Sequence, residues 1–174
     1  MEKREVRILM VDSSFRESFG AEKDLIDFLT DFLPTKYGVE LTLVFCDNYN
    51  AGVVELGRSG LGRSGYDLVI VEPNFMSGDF TSRTTTLDPL TIGKKFLGIL
   101  KSVYPEMPVV VFTTSMELET YCRERNYAYV GKPVPLEKLG QVVAEKLGLR
   151  RSDEVILEEL IITQAENFHI FCFF

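Results

Sequence analysis

With 174 residues, 45% of them hydrophobic and 26% charged, the chain has the size and composition of about one soluble globular domain with a buried core. A net charge of −7 argues against a general nucleic-acid binder, which presents a basic face, and Arg58, Arg63 and Arg83 are too scattered to claim a local basic patch. Cys46, Cys122 and Cys172 fit neither a disulfide framework nor a zinc spacing, which points to a reducing compartment and a cytoplasmic protein.

The first element is an apolar run, Val6 to Val11, broken only by Arg7 and ending at Asp12-Ser13-Ser14. It is too short for a signal peptide, and no apolar run of the chain approaches a membrane span. Phe15 to Leu33 carries Phe19, Leu25, Ile26, Leu29 and Phe32 at helical spacing, with Pro34 and Gly38 expected to stop it. Leu41 to Cys46 reads as a second strand and Asn48 to Leu56 as a short helix. A third strand, Asp67 to Glu72, is followed by a helical pattern over roughly 90–103. Pro108 to Thr113 is a fourth strand, Met116 to Arg125 a helix, Tyr127 to Val130 a weaker fifth strand and Leu136 to Leu147 a last helix. Strands that read as unbroken apolar runs between short crossover helices imply a parallel sheet covered on both faces. The expectation is an α/β, doubly wound, flavodoxin-like domain over 1–150.

Three segments depart from this alternation. Leu56-Gly-Arg-Ser-Gly is repeated as Leu61-Gly-Arg-Ser-Gly, which creates formal matches to two phosphate-binding glycine motifs. Those motifs work between a strand and a following helix, whereas here the glycines precede a strand, so a solvated loop grown by duplication is expected. The second segment is the Thr- and Ser-rich stretch 77–88. The third is an extension, 151–174, in which Ser152-Asp-Glu could open a helix with an apolar stripe of Val155, Ile156, Leu160 and Ile161. The extension closes on Phe168-His-Ile-Phe-Cys-Phe-Phe174, expected to dock on the body or a partner rather than to anchor in a membrane.

In an open α/β sheet, ligands lie at the carboxyl ends of the strands. Those ends carry Asp12 and Ser13, Glu72, Thr113 and Thr114, and Lys132. Acids, hydroxyls and a lysine brought to one crevice are the groups that phosphoryl transfer uses. Each also has a plainer reading: Asp12 as a helix cap, Thr113 and Thr114 as strand ends, Lys132 as a surface lysine. His169 and Cys122 lie away from these ends and read as packed or solvated. Taken together, ILMVDSS (8–14), DLVIVEPN (67–74), PVVVFTTS (108–115) and YVGKP (129–133) resemble the receiver domain of two-component response regulators.

The resemblance spans about residues 5 to 148 and implies the strand order 2-1-3-4-5. It also implies that Asp12 is the first of a pair of Mg²⁺-binding acids, and that the backbone carbonyl of Asn74 is a further ligand. Thr113 and Lys132 would contact the phosphoryl group, and Tyr129 would be the aromatic that changes rotamer with it. Three departures stand against that pattern. Ser13 replaces the second acid, which should weaken binding of a cation as demanding as Mg²⁺, leaving at most Asp12 as its anionic ligand. Glu72 replaces the acceptor Asp; its extra methylene moves the reactive oxygen by about 1 Å or more, a displacement that can cost on the order of 100-fold in rate. Roughly a dozen extra residues separate Asn74 from Gly93, the counterpart of the family's helix-opening glycine, and loops that long usually carry a function or are disordered.

These departures predict a non-enzymatic, atypical receiver without conventional aspartyl phosphorylation, needing no cofactor, whose partners are proteins rather than nucleic acid or membrane. The resemblance implies the fourth helix, fifth strand and fifth helix as the partner face, and a homodimer through that face or through the extension is one form such pairing would take. Glu72 paired with Lys132 would fix the pocket in one state. The competing readings are a receiver that is still phosphorylated and a small ligand-binding or enzymatic flavodoxin-like domain. A DNA-binding regulator is not expected, since the 174 residues leave no room for a helix-turn-helix output domain beside the receiver-like one.

Overall fold

A computed structural model describes residues 3–13, 21–58, 65–75 and 88–151. Its elements, in chain order, are β1 (Glu5–Asp12), α1 (Ala21–Tyr37), β2 (Glu40–Cys46), α2 (Tyr49–Arg58), β3 (Leu68–Glu72), α3 (Pro89–Val103), β4 (Val109–Thr113), α4 (Leu118–Glu124), β5 (Ala128–Gly131) and α5 (Leu136–Lys146). The five strands are parallel in the order β2-β1-β3-β4-β5. This is the doubly wound, flavodoxin-like sheet that the alternation of apolar runs and crossover helices predicts. Most of the 57–65 repeat and of the 77–88 stretch, with 152–174, lies outside the described residues.

Every residue of β3 and of β4 is buried, as expected of inner strands covered on both faces. Because successive strand side chains alternate, each strand feeds two cores. Leu9, Val11, Val69, Val71, Val109 and Val111 meet Phe75, Phe96, Leu97 and Leu118 on the side of α2, α3 and α4. Ile8, Met10, Leu68, Ile70, Val110 and Phe112 meet Leu25, Leu29, Leu33, Leu139 and Val143 on the side of α1 and α5.

Two local features depart from the sequence reading. Pro34 does not stop α1, which runs on to Tyr37 with the proline inside it. Proline removes only its own amide donor, and the helix closes instead at Gly38, whose φ of 65° is left-handed and whose N–H bonds the Pro34 carbonyl at 2.9 Å. α2 extends two residues past Leu56 and so takes in the start of the repeat. The expected helix start at Phe15, with Phe19, lies outside the described residues, α1 being described from Ala21, and the other elements differ from expectation by one or two residues at their ends.

Gly93 lies near the start of α3, which opens on Asp88 as its cap, the carboxylate accepting the Thr91 N–H at 3.0 Å. A Cβ at Gly93 would overlap the Pro73 carbonyl, so this glycine lets α3 press directly on the backbone that leaves β3. Phe75, fully buried, anchors the same backbone in a cluster of edge-on rings with Tyr49 and Phe96, centroids 5.9 and 5.7 Å away. Among the described residues no helix is long and apolar enough to cross a membrane.

Candidate functional site at the strand carboxyl ends

The register of the sheet sets Asp12 of β1 directly beside Glu72 of β3. Both are buried, at 1% and 6% exposure, and so are Ser13 and Thr113. Four polar side chains in one buried patch require partners, since an unpaired buried charge is expensive. The partners come from the next strands and the loops between them.

Lys132 follows β5 and is joined to Pro133 by a cis peptide bond. Its backbone N–H bonds the Thr113 carbonyl at 2.8 Å, continuing the β4–β5 ladder past the strand end. From there its ammonium reaches back across the sheet, 3.1 Å from Glu72 Oε2 and 3.4 Å from Asp12 Oδ2. The same nitrogen lies 4.5 Å from the centre of the Phe112 ring. One cation thus bridges two buried carboxylates against an aromatic face.

Glu72 is held on every side. Oε1 accepts the Asn74 N–H at 3.3 Å and Oε2 meets Lys132, with the Thr113 hydroxyl close enough to favour the charged carboxylate. Burial nevertheless raises its carboxyl above the ordinary glutamate range; the Thr113 hydroxyl and Lys132 pull it down, and Asp12 adds to the rise. The hydrogen bonds continue outward. Thr113 Oγ1 accepts the Ser115 N–H at 3.1 Å, and the Ser115 carbonyl accepts the Tyr129 hydroxyl at 3.3 Å. Thr113, Ser115 and Tyr129 form one hydrogen-bonded chain from beside Glu72 to β5.

Ser13 donates its hydroxyl to the Asn74 carbonyl at 3.3 Å. The resemblance assigns that carbonyl to a metal ion and position 13 to an acid, so two positions of the implied metal site are bonded to each other. Lys132 already places a positive charge between the remaining carboxylates. With a hydroxyl in place of a carboxylate at position 13, and that hydroxyl bonded to the Asn74 carbonyl, the pocket offers fewer anionic and free oxygens than a hard divalent cation favours.

Of the residues singled out from sequence, Asp12, Ser13, Glu72, Thr113 and Lys132 converge, and Asn74 joins through its backbone while its side chain is exposed. Thr114 does not join them; it is exposed beside the pocket. Tyr129 is half-buried and linked through Ser115. Phe112 and Ser115 are members that sequence reading missed. Phe112 read only as one more apolar residue of PVVVFT, although its place one residue before Thr113 puts it on the α1–α5 side of the strand end. Cys122 is fully buried, its thiol pushed up to about 11 by burial, in keeping with a packing role.

No family model matches the sequence, and no curated protein matches it. Solved structures do. A CheY-like response regulator receiver domain protein from Methanospirillum hungatei is 18% identical, with a TM-score of 0.53 over 82% of this chain and 94% of that one. A response regulator receiver domain protein from Clostridium thermocellum is 20% identical, with a TM-score of 0.54 and the same two coverages. The phosphorylated cyanobacterial phytochrome response regulator RcpA is 20% identical, with a TM-score of 0.53 over 80% of this chain and 89% of that one. The chain therefore has the fold of response regulator receiver domains.

Proposed function

We propose that the protein is a non-enzymatic, receiver-like signalling module that acts by binding protein partners and does not use aspartyl phosphorylation as its switch. The observation that carries this reading is Lys132 bridging Asp12 and Glu72. In a phosphoryl-accepting pocket the acceptor oxygen must be free to attack and the neighbouring acid must be free to hold metal. Here each Glu72 oxygen has a donor, and the ammonium occupies the space between the acids. A carboxylate clamped in this way is a poor nucleophile, and its longer side chain places the oxygen away from an in-line approach.

With its pocket held in one arrangement, the module would signal by being present and bound rather than by being switched. The surface offered for this is the one made by α4, β5 and α5: β5 is the edge of the sheet, and Met116, just before α4, is 80% exposed. Receiver-like folds pair with proteins, and a second copy of the chain is one such partner. The reading is tested by amide NMR of the full protein during titration with Mg²⁺ and then with beryllofluoride, a phosphoryl mimic. Unmoved resonances for Glu72, Thr113, Ser115, Tyr129 and Lys132 are expected. Saturable shifts of these residues at millimolar Mg²⁺, extended to Tyr129 by beryllofluoride, would instead identify a working phosphorylation switch.

A further inference from the structure

Lys101, Arg125 and Lys146 line one cavity of about 240 Å³ at the edge of the sheet opposite the strand-end pocket. Pro108, immediately before β4, and Tyr127, immediately before β5, belong to its walls, so it lies under the amino ends of those two strands. α3 and α5 cover opposite faces of the sheet, and both end at this edge. The last turn of α3 brings Lys101 from one face and the last residue of α5 brings Lys146 from the other, while the residue closing α4 brings Arg125.

A cation in the last turn of a helix complements the helix dipole, and each of α1 to α5 carries one. At two of those ends the charge is also met on its own helix, by Glu55 for Arg58 at 2.7 Å and by Glu119 for Arg123 at 3.1 Å. The ends of α3 and α5 differ. Three and four residues before Lys101 stand Gly98 and Leu97, and before Lys146 stand Val143 and Val142, so neither lysine has an acid within helical reach. Neither forms an ion pair among the described residues. Glu106, the one acid in the lining, is exposed and pairs with none of the three cations. The dipole accounts for each cation singly. It does not account for three like charges gathered round one hollow in a chain whose net charge is −7.

The hollow is also firmly built. The buried Tyr127 hydroxyl is tied to the Leu97 carbonyl at 2.7 Å, and the Arg125 guanidinium lies over the Tyr121 ring, 3.7 Å from its centre. Arg125 meets exposed Glu124 at 3.4 Å through one nitrogen and keeps its other donors. Asn126 turns the chain at a φ of 61°, which glycine adopts more readily, and adds a side-chain amide to the lining.

We propose that this hollow binds a small, multiply charged oxyanion of the phosphate class, its oxygens shared by Lys101, Arg125 and Lys146. The volume is below the roughly 300–1,000 Å³ of pockets for drug-sized ligands, which suits a phosphate or diphosphate group and little more. The overall negative charge repels a large polyanion, whereas a small one meets chiefly the local field focused by the cavity. Bound there, the anion ties the ends of α3, α4 and α5 to one another. This site is independent of how the strand-end pocket is used.

The probe is inorganic pyrophosphate, titrated into the full-length protein at constant pH and ionic strength and followed by amide NMR. Saturable shifts of Met107, Asn126, Tyr127 and Lys146 are expected, with one site per chain by calorimetry. Lys101→Gln and Lys146→Gln each remove a charge from the hollow without opening the core, and each is expected to weaken binding about tenfold. Lys138→Gln removes an exposed lysine of α5 that does not line the hollow and is expected to leave the affinity unchanged. Shifts that grow without saturating, or an affinity that survives both Lys101→Gln and Lys146→Gln, would overturn the proposal. An equal loss in Lys138→Gln would reduce the effect to overall charge and overturn it too. Saturable shifts confined to Thr113 and Lys132 would place the anion in the strand-end pocket instead, and a short single-stranded oligonucleotide that displaces pyrophosphate would assign the hollow to nucleic acid; either result would overturn it.

Discussion

At the scale of single residues, the pocket is decided by how one ammonium is shared between two buried acids. Lys132 cannot neutralise both fully, and Glu72, more penalised by burial than helped by its donors, has its carboxyl raised. The folded protein therefore holds that proton more tightly than the unfolded chain does. Stability falls as pH climbs from the ordinary glutamate value of 4.5 through the raised one, and below 4.5 the penalty vanishes because both states are protonated. Glu72→Gln removes this dependence. Its thermal midpoint should gain on wild type steadily from pH 4.5 to 7; parallel curves would contradict the assigned burial cost. Lys132→Met does the reverse, keeping the contact with Phe112 but leaving Asp12 and Glu72 without their cation. A loss of about 3–5 kcal/mol in urea unfolding at pH 7 is expected, shrinking at acid pH as Glu72 takes up its proton. The identity of these residues is legible in the sequence because each stands at the end of an apolar run, and strand ends converge in a parallel sheet. What each touches is not. Thr113 and Thr114 read alike, and only the register buries one and exposes the other. That Ser13 closes on the Asn74 carbonyl depends on a loop path that no periodicity encodes.

At the scale of elements, the order and type of all ten are legible, since buried parallel strands and amphipathic crossovers leave opposite periodicities in the chain. The ends are less so. Proline weakens a helix only locally, so Pro34 could not mark the end of α1 as Gly38 does. The contact that matters most for the pocket at this scale is the one between α3 and the backbone leaving β3. Gly93→Ala would drive a methyl group into the Pro73 carbonyl and push apart the turn that carries Asn74. A destabilisation of about 1–3 kcal/mol is expected, with shifted amide resonances for Asn74 and Ser13. A variant as stable as wild type would show that the close approach of α3 is not needed to hold the turn. Tyr127 makes a similar tie on the far side of α3, its buried hydroxyl donating to the Leu97 carbonyl at 2.7 Å. Tyr127→Phe should cost about 1 kcal/mol in the same unfolding assay, without disturbing the pocket.

At the scale of the whole molecule, a receiver-type fold carries a site whose parts are bonded to one another. Ser13 engages Asn74, Lys132 engages Asp12 and Glu72, and Thr113 passes the hydrogen-bond chain to Ser115 and Tyr129. Restoring the two acidic residues expected of a receiver should reverse this, because Ser13→Asp supplies an anionic ligand and Glu72→Asp draws the acceptor oxygen back from Lys132. The measurement that bears most directly on this account is intact-mass spectrometry of the wild-type protein and of the Ser13→Asp/Glu72→Asp variant after incubation with acetyl phosphate and Mg²⁺. The account predicts an unmodified wild-type mass and a Mg²⁺-dependent phosphoryl adduct on the variant. A Mg²⁺-dependent adduct on the wild-type protein, lost on Glu72→Gln, would contradict it.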